Sequence, residues 1–360
     1  MARALLLEGP RTLRLRDEEA PGLAAREIRV RSLLSGISHG TELNLYRGTS
    51  AFADRVFDRS LRAFVAPDPP RPAYTATLGY ELVGTVAETG ADIGELQSGD
   101  LVHVGAPHRD EAVLDLDAAA GTTYPPVKLP AGAPLERWLF VSVGAVALVA
   151  AHDARIRLGD HVAVIGLGAI GLLLVQMARL AGARRVSAVD PVAARRELAL
   201  ALGADEALEP GGAGEAIKRA AGRGVDAALE TSGATAGLHD AIAACGLGGT
   251  VVAVGVYQGG APGLRLGEEW HHNRLDMVSS MGAWGAPHRA YPAWERPRVM
   301  RTVVDLLASG AVRVDGLPVR HFPFERAAEA YGWLDEHPND AVKVALTYDG
   351  FTPAAGGGQQ

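Results

Sequence analysis

The chain has 360 residues, of which 48 % are hydrophobic and 21 % charged, and this length predicts two globular domains. Its formal net charge of −7 argues against proteins that need a cationic face, so we expect no nucleic-acid and no membrane partner. With one cysteine, Cys245, the chain has no intramolecular disulfide and no zinc site made of several thiolates, and a cytoplasmic location is expected.

The first domain, residues 1–142, is predicted to be rich in β-strands. Short alternating apolar runs, separated by Gly and Asp turns, occur in EIRVRSLLSG, ELVGTVAETG and GDLVHVGAP. Between residues 46 and 74 this alternation gives way to a segment rich in Arg, Phe and Pro, for which no regular structure is predicted.

The second domain, residues 143–284, alternates strand-like runs such as HVAVI and RRVSAV with Ala-rich helical stretches. Such alternation is typical of α/β proteins with a parallel sheet covered by helices on both faces. Residues 285–360 return to mixed helix and strand, and a disordered tail is expected near 353–360. We therefore predict a nucleotide-binding domain inserted between two parts of a β-rich domain.

A glycine motif follows the strand HVAVI. Gly166, Gly168 and Gly171 have the G-x-G-x-x-G spacing, and a long apolar helix follows directly. The spacing allows a tight turn, close approach of a pyrophosphate to the backbone, and packing of helix against strand. The helix N-terminus, with Ala169 and Ile170, supplies free N–H groups to the phosphates. The motif in this context predicts a dinucleotide site.

An acidic residue at the end of the next strand indicates whether the dinucleotide is NAD or NADP. Asp190 lies 24 positions after Gly166 (190 − 166 = 24) and can accept hydrogen bonds from the ribose hydroxyls while repelling a 2′-phosphate. We therefore predict NAD as the cofactor. Arg195 is expected on the adenosine side.

Together these segments resemble the medium-chain dehydrogenase/reductase family over almost the whole chain. The match is carried by SGISHGTELNLYRG, LGYELVGTVAETG, SGDLVHV, RLGDHVAVIGLGAIGLLLVQMARLAGARRVSAVD, LALALGAD, GVDAALETSG and GGTVVAVGV. The resemblance implies an α/β fold in which a Rossmann NAD-binding domain is inserted into a GroES-like β-rich catalytic domain.

The chain departs from this family at the catalytic zinc. The cysteine that is the first ligand matches either Ser38 or His39, because the motif here is one residue longer. The histidine that is the second ligand matches Tyr80, and the region of the third offers only Val141 and Ser142. The four-cysteine structural zinc loop is missing. We therefore predict no metal and a zinc-less branch, similar to bacteriochlorophyllide dehydrogenase and to relatives that oxidise sugars, cyclitols or secondary metabolites.

Without a metal, a side chain must take up the proton that an alcohol loses as hydride leaves carbon. The resemblance implies that the candidate groups cluster beside the nicotinamide. Three alternatives stay open: a space-filling Tyr80, a structural Glu81 and a solvent-facing His39. The candidates are Ser38, His39, Thr41, Tyr80 and Glu81.

Further cofactor contacts and an assembly are implied by the resemblance. Thr231 and Ser232 are expected near the adenosine and ribose. The backbone of Val254, Gly255 and Val256 is expected to hold the nicotinamide carboxamide. Lys343 is expected to reach the pyrophosphate. The run LDMVSSMG is expected to be an edge strand of the Rossmann sheet, through which a homodimer would form.

The function predicted is zinc-independent, NAD-dependent interconversion of a secondary alcohol and a ketone on a polar small molecule. One alternative is an enoyl reductase, since metal-free members of this family reduce conjugated C=C bonds, although those usually prefer NADPH. A second alternative is a dinucleotide-binding protein without catalysis.

Overall fold

Strands come first along the chain, strands and helices alternate in the middle, and the end is mixed. The computed structural model describes residues 2–19, 21–50, 55–68, 76–257, 260–281 and 293–352, so the predicted disordered tail at 353–360 lies outside the described residues. The strands are β1 (Ala2–Gly9), β2 (Thr12–Glu18), β3 (Glu27–Ile37), β4 (Val56–Asp58), β5 (Ala63–Val65), β6 (Ala76–Thr77), β7 (Leu82–Thr89), β8 (Leu101–Val104), β9 (Glu111–Asp115), β10 (Val127–Lys128), β11 (His161–Ile165), β12 (Arg185–Val189), β13 (Glu206–Leu208), β14 (Val225–Glu230), β15 (Cys245–Ala253), β16 (Asp276–Ser279), β17 (Val319–Pro323) and β18 (Lys343–Thr347). The α-helices are α1 (Glu42–Arg47), α2 (Leu116–Ala120), α3 (Val141–Asp153), α4 (Ala169–Leu180), α5 (Ala193–Ala201), α6 (Ala213–Ala221), α7 (Thr235–Ala244), α8 (Glu269–His272), α9 (Arg296–Ala308) and α10 (Ala327–Glu336).

The chain divides into two units. Unit 1 is Met1–Leu139 with Pro318–Gln360, and unit 2 is Phe140–Leu317. The first boundary lies three residues from the predicted one (142 − 139 = 3). The second boundary lies 33 residues after the predicted one (317 − 284 = 33), because α9 belongs to unit 2. The buried face of α9 packs on α3, where Val303 occupies the space that a Cβ on Gly144 would need.

Unit 1 is built on a seven-stranded sheet. Its order is β10-β8-β7-β3-β18-β17, and β9 also pairs with β3. The long strand β3 is antiparallel to both β7 and β18, so the C-terminal segment completes a sheet that the N-terminal segment begins. The alternating pattern buries Ile28 and Val30 of β3 against Leu82 and Val86 of β7 in one apolar cluster. The predicted β-rich domain that includes the C-terminal segment is confirmed.

Unit 2 is a Rossmann domain. Its six-stranded sheet has the order β13-β12-β11-β14-β15-β16, and every neighbouring pair is parallel. The strands are nearly continuous apolar runs because helices cover both faces of such a sheet. The strand order reverses between β11 and β14, and in doubly wound sheets ligands bind at the carboxyl ends of the strands at that point. The predicted parallel α/β domain is confirmed.

The run LDMVSSMG contains β16, which lies at one edge of the Rossmann sheet as predicted. Its Met277 is 40 % exposed. The homodimer across this edge stays a prediction.

Among the described residues, the stretch Leu135–Asp153 is long and apolar enough to cross a membrane by length and composition. However, 67 % of it is buried inside the protein, as in the core helix of a globular domain.

His103 on β8 makes stability depend on pH. It is fully buried, and burial, with a smaller contribution from the charge of Lys343, lowers its pKa from 6.5 to about 3. The imidazole is neutral in the folded state but protonates in the unfolded state. Its contribution to stability is therefore complete above about pH 6.5 and is lost as the pH falls from there towards about 3.

We expect this group to cost about 1.4 kcal/mol of unfolding free energy per pH unit below its unfolded pKa. Denaturant unfolding of wild type and His103→Leu between about pH 7 and 4.5 measures it. The unfolding free energy of the variant should rise steadily relative to that of wild type as the pH falls. His272→Gln, which changes an exposed histidine, is the control. A difference that stays constant with pH would contradict the assignment.

Candidate functional site

Two hydroxyl groups meet where β3 ends and β7 begins. Ser38 directly follows β3, and Tyr80 lies two residues before β7. The antiparallel register pairs Ser35 with Leu82, which brings these two strand ends together. Tyr80 Oη donates a hydrogen bond to Ser38 Oγ at 2.6 Å, and Ser38 is only 9 % exposed. The structure therefore pairs Ser38, one of the two alternatives in the sequence, with Tyr80.

The phenol of Tyr80 is held in its neutral form. Burial raises its pKa well above 10, the nearby Tyr124, Glu81 and Glu42 add to this, and the hydrogen bond to Ser38 only partly opposes it. A phenolate at Tyr80 is disfavoured, because it would be desolvated next to other acids. At neutral pH Tyr80 is a hydrogen-bond donor.

Tyr124 is a neighbour that the sequence did not reveal. Its ring stacks on that of Tyr80, with centroids 5.1 Å apart and planes 6° apart. This contact joins two segments that are 44 positions apart in the chain (124 − 80 = 44), and no local pattern indicates it.

The remaining acid/base candidates differ in their surroundings. His39 follows Ser38 directly and is partly exposed. Thr41 is an exposed N-cap of α1 whose side chain makes no capping hydrogen bond. Their roles in proton transfer stay predictions.

Glu81 and Lys343 form a buried ion pair inside unit 1. Glu81 is fully buried, Lys343 is 2 % exposed, and the ammonium contacts Oε2 of the carboxylate. The pair fits beside β3 because Gly36 has no Cβ, which would collide with Glu81 and Lys343. Burial raises the pKa of Glu81 although Lys343 opposes the shift.

The pairing has consequences for both predicted roles. It favours a structural interpretation of Glu81, which was predicted as an acid/base group. The ammonium of Lys343, predicted to reach the pyrophosphate, is held by a carboxylate of its own unit. The phosphate contact stays a prediction.

The glycine motif has the predicted geometry. Gly166 has φ +89°, a conformation in the left-handed region that favours glycine. A Cβ on Gly171 would collide with the Gly166 carbonyl, so this glycine allows α4 to start against the strand. A Cβ on Gly168 would meet no protein atom within 4 Å, which leaves its backbone open to a ligand. Ala169 and Ile170 are partly exposed in the first turn of α4.

Asp190 lies beside this motif, as predicted. Residues Ile165 and Val189 are paired in the parallel register, so the loops after β11 and β12 are neighbours. The carboxylate is 4 % exposed, and Oδ2 accepts a hydrogen bond from the Leu167 N–H at 2.7 Å. Oδ1 accepts one from the Val192 N–H at 2.8 Å. Asp190 thus fixes the loop and places negative charge at the strand end.

Arg196 contacts this region. Its guanidinium donates to the Asp190 carbonyl at 2.8 Å and to Glu209 at 2.8 Å. Arg195, the predicted residue, is partly exposed on the same helix, α5. Its placement on the adenosine side of a cofactor stays a prediction.

Glu230 connects the other two predicted cofactor segments. It is fully buried, its Oε1 accepts the Ser232 N–H at 2.7 Å, and its Oε2 accepts the Tyr257 hydroxyl at 2.5 Å. Its carbonyl accepts the N–H groups of Val254 at 2.8 Å and Gly255 at 3.0 Å. An acid at a strand end, in ALETSG, was the signal that could have identified it.

The segments of this second group lie at the carboxyl ends of β14 and β15. Thr231 donates to the Gly166 carbonyl at 2.7 Å, which ties this end of the sheet to the glycine motif. Val256 is 54 % exposed, whereas Val254 is 9 % exposed. All the predicted cofactor residues of unit 2 therefore follow the carboxyl ends of its parallel strands, as the Rossmann arrangement requires.

The donor set does not fit a catalytic zinc. Zinc in proteins takes thiolate, imidazole or carboxylate ligands. At the matching positions Ser38 and Tyr80 carry hydroxyls, His39 carries an imidazole, and Val141 and Ser142 are buried. Within the described parts of the chain, no group of three or more His, Cys, Asp or Glu residues is placed to hold a metal ion. We therefore derive no chemistry through zinc.

Comparisons with known proteins agree with this architecture. A family model described as zinc-binding dehydrogenase matches residues 169–296. The D-guloside 3-dehydrogenase of Escherichia coli (strain K12) is 32 % identical over 356 residues, covering 96 % of this chain and 99 % of that protein.

Solved structures show the same fold. Galactitol-1-phosphate dehydrogenase from Escherichia coli superposes with a TM-score of 0.75 at 20 % identity, covering 96 % of this chain and 99 % of the other. A Sinorhizobium meliloti 1021 protein described as a zinc-binding dehydrogenase, solved with NADP bound, superposes with a TM-score of 0.74 at 23 % identity and the same coverage.

The sequence similarity therefore spans the β-rich unit and the Rossmann unit together. The dinucleotide motif, its acid and the hydroxyl pair lie within this matched length. The chain belongs to the medium-chain, zinc-binding-type dehydrogenase family, whose members join a GroES-like domain to a nicotinamide dinucleotide-binding Rossmann domain.

Proposed function

We propose that this protein is an NAD-dependent, zinc-independent dehydrogenase that interconverts a secondary alcohol and a ketone on a sugar-like small molecule. The observation that carries the proposal is the hydrogen bond from Tyr80 to Ser38, at the positions where related enzymes hold zinc. We further propose that it acts in the cytoplasm, as a homodimer, without nucleic-acid or membrane partners.

The hydrogen bond between the two hydroxyls has a defined donor and acceptor. Tyr80 donates its hydrogen to Ser38 Oγ, which leaves the hydrogen of Ser38 for a substrate oxygen. In ketone reduction, Ser38 donates that hydrogen to the oxygen on which negative charge develops and takes up a proton from the imidazolium of His39, while Tyr80 stays neutral and keeps its hydrogen bond to Ser38. In alcohol oxidation the proton of the alcohol passes through Ser38 to the neutral imidazole of His39. We assign exchange with solvent to His39, since imidazoles gain and lose protons near neutral pH, with Thr41 as the second candidate.

The cofactor would be held by the residues at the carboxyl edge of the Rossmann sheet. When bound, NAD supplies the hydride acceptor. The N–H groups around Gly168, Ala169 and Ile170 would hold the pyrophosphate at the start of α4. The carboxylate of Asp190 would accept the ribose hydroxyls and disfavour a 2′-phosphate, which supports NAD over NADP.

The substrate class is argued from sequence similarity. A relative that matches nearly the whole chain is a D-guloside 3-dehydrogenase, whose name refers to oxidation of a glycoside at position 3. We propose that this chain also oxidises a ring hydroxyl of a sugar or cyclitol.

Steady-state turnover tests the proposal. Purified protein, with its metal content measured, is incubated with NAD or NADP and a panel of methyl glycosides, cyclitols and polyols while reduced nicotinamide is followed by absorbance. We expect NAD-dependent turnover of a glycoside that persists after chelation and without stoichiometric zinc. Loss of activity on chelation, restored by zinc, would refute zinc independence. Reduction of conjugated enones with NADPH, and no alcohol oxidation, would instead support an enoyl reductase.

A further inference from the structure

A buried polar network lies directly behind the Ser38–Tyr80 pair. At its centre is Glu42, the first residue of α1, which is 1 % exposed. Its Oε1 accepts the Ser38 peptide N–H at 2.8 Å, and its Oε2 accepts hydrogen bonds from His108 Nε2 at 3.0 Å and from the Tyr331 hydroxyl. Burial alone would raise the pKa of Glu42, but these partners outweigh it and the pKa is lowered. Glu42 is therefore a carboxylate with defined partners on both oxygens.

His108 contacts the two residues that precede Tyr80. Its ring is fully buried, and its Nδ1 is hydrogen-bonded to Ser35 Oγ at 2.7 Å. Its backbone N–H donates to the Leu78 carbonyl at 2.8 Å. Gly79, which precedes Tyr80, has φ +101°, and a Cβ there would lie 2.8 Å from the His108 ring. His108 thus packs tightly against the segment that carries Tyr80.

We infer that the Glu42–His108 pair positions the two hydroxyls of the site, with Glu42 holding Ser38 by its peptide N–H and His108 supporting the backbone before Tyr80. The inference rests on the proposed role of Ser38 and Tyr80 in proton transfer. The pair itself touches no substrate atom in this scheme; it acts by fixing the separation and direction of two groups that must be aligned for reaction.

A double-mutant cycle distinguishes positioning from simple stabilisation. Glu42→Gln is made in wild type and in Ser38→Ala, and kcat, KM for NAD and the melting temperature are measured. If Glu42 acts through the Ser38 hydroxyl, Glu42→Gln should lower kcat about 10- to 100-fold in wild type. In the Ser38→Ala background it should change kcat by no more than a factor of about two. KM for NAD should be unchanged, because the carboxylate of Glu42 holds Ser38, His108 and Tyr331 and none of the proposed cofactor ligands.

Ser32→Ala is the matched control. Ser32 lies on β3, is 1 % exposed, and donates a hydrogen bond to the Arg109 carbonyl at 2.5 Å. Its loss should lower the melting temperature without changing kcat. If Glu42→Gln does not fold, His108→Gln and Tyr331→Phe are tested in the same two backgrounds.

The experiment separates failure of the positioning role of Glu42 from failure of the proton-transfer role of Ser38. No loss of kcat on Glu42→Gln, or an equal loss in both backgrounds, overturns the positioning role and leaves the assignment of Ser38 intact. Unchanged kcat in Ser38→Ala alone overturns that assignment and the positioning role with it.

Discussion

Replacing Ser38 with Ala should lower kcat for the sugar alcohol by about 10²- to 10³-fold, because the group that exchanges a proton with the substrate oxygen is removed. Tyr80→Phe should lower kcat by about 10- to 100-fold, since Ser38 then loses its donor but keeps its own hydrogen. Both variants should keep KM for NAD. The measurement is steady-state kinetics at saturating NAD, with Ser32→Ala as the control for loss of a buried hydroxyl.

The two variants also test the direction of proton transfer. Because burial raises the pKa of Tyr80 well above 10, its ionisation should not shape the wild-type kcat profile between about pH 6 and 9. A pH-dependent step in that range which disappears in Tyr80→Phe would show instead that Tyr80 is a base. Unchanged turnover in both variants would remove the hydroxyl pair from the mechanism.

Asp190→Asn should reduce the preference for NAD over NADP, measured as the ratio of kcat/KM values, by about 10- to 100-fold. The substitution removes the negative charge that would lie opposite a 2′-phosphate. It also leaves one acceptor oxygen instead of two for the N–H groups of Leu167 and Val192, so a lower melting temperature is expected as well. Asn keeps the shape of the side chain, which limits the change in the loop.

Glu209→Gln is the matched control for this experiment. Glu209 pairs with Arg196 on the same side of unit 2 and its side chain is 74 % exposed, so its charge is screened by solvent. The cofactor preference should stay as in wild type. An NAD preference that is unchanged in Asp190→Asn, or a wild type that prefers NADP, would contradict the role given to Asp190.

The dinucleotide site was predictable from the sequence because its requirements are local. A tight turn, a close backbone approach and a helix start are imposed on six consecutive residues, Gly166 to Gly171, and the fold itself requires glycine at Gly166 and Gly171. Asp190 was predictable for a similar reason, since parallel strands end at the same edge of a sheet. The second domain boundary was not predictable from local sequence, because only the packing of α9 on α3 decides it.

The chemistry of unit 1 depended on contacts between distant parts of the chain. The resemblance identified the positions where zinc ligands are missing, and therefore Ser38, His39 and Tyr80 as candidates. It did not show that Ser38 is the partner of Tyr80, that Lys343 pairs with Glu81, or that burial raises the Tyr80 pKa.

The sequence by itself determined the family, the parallel α/β unit and the glycine motif at the start of its first helix, because each is written in residue identities at fixed spacing. Only the tertiary structure decided which side chains became partners. The network of Glu42, His108 and Tyr331 joins residues up to 289 positions apart. Desolvation and hydrogen bonding act through space, so the groups that set a pKa or hold a hydroxyl in place are known only once the strands and helices have packed.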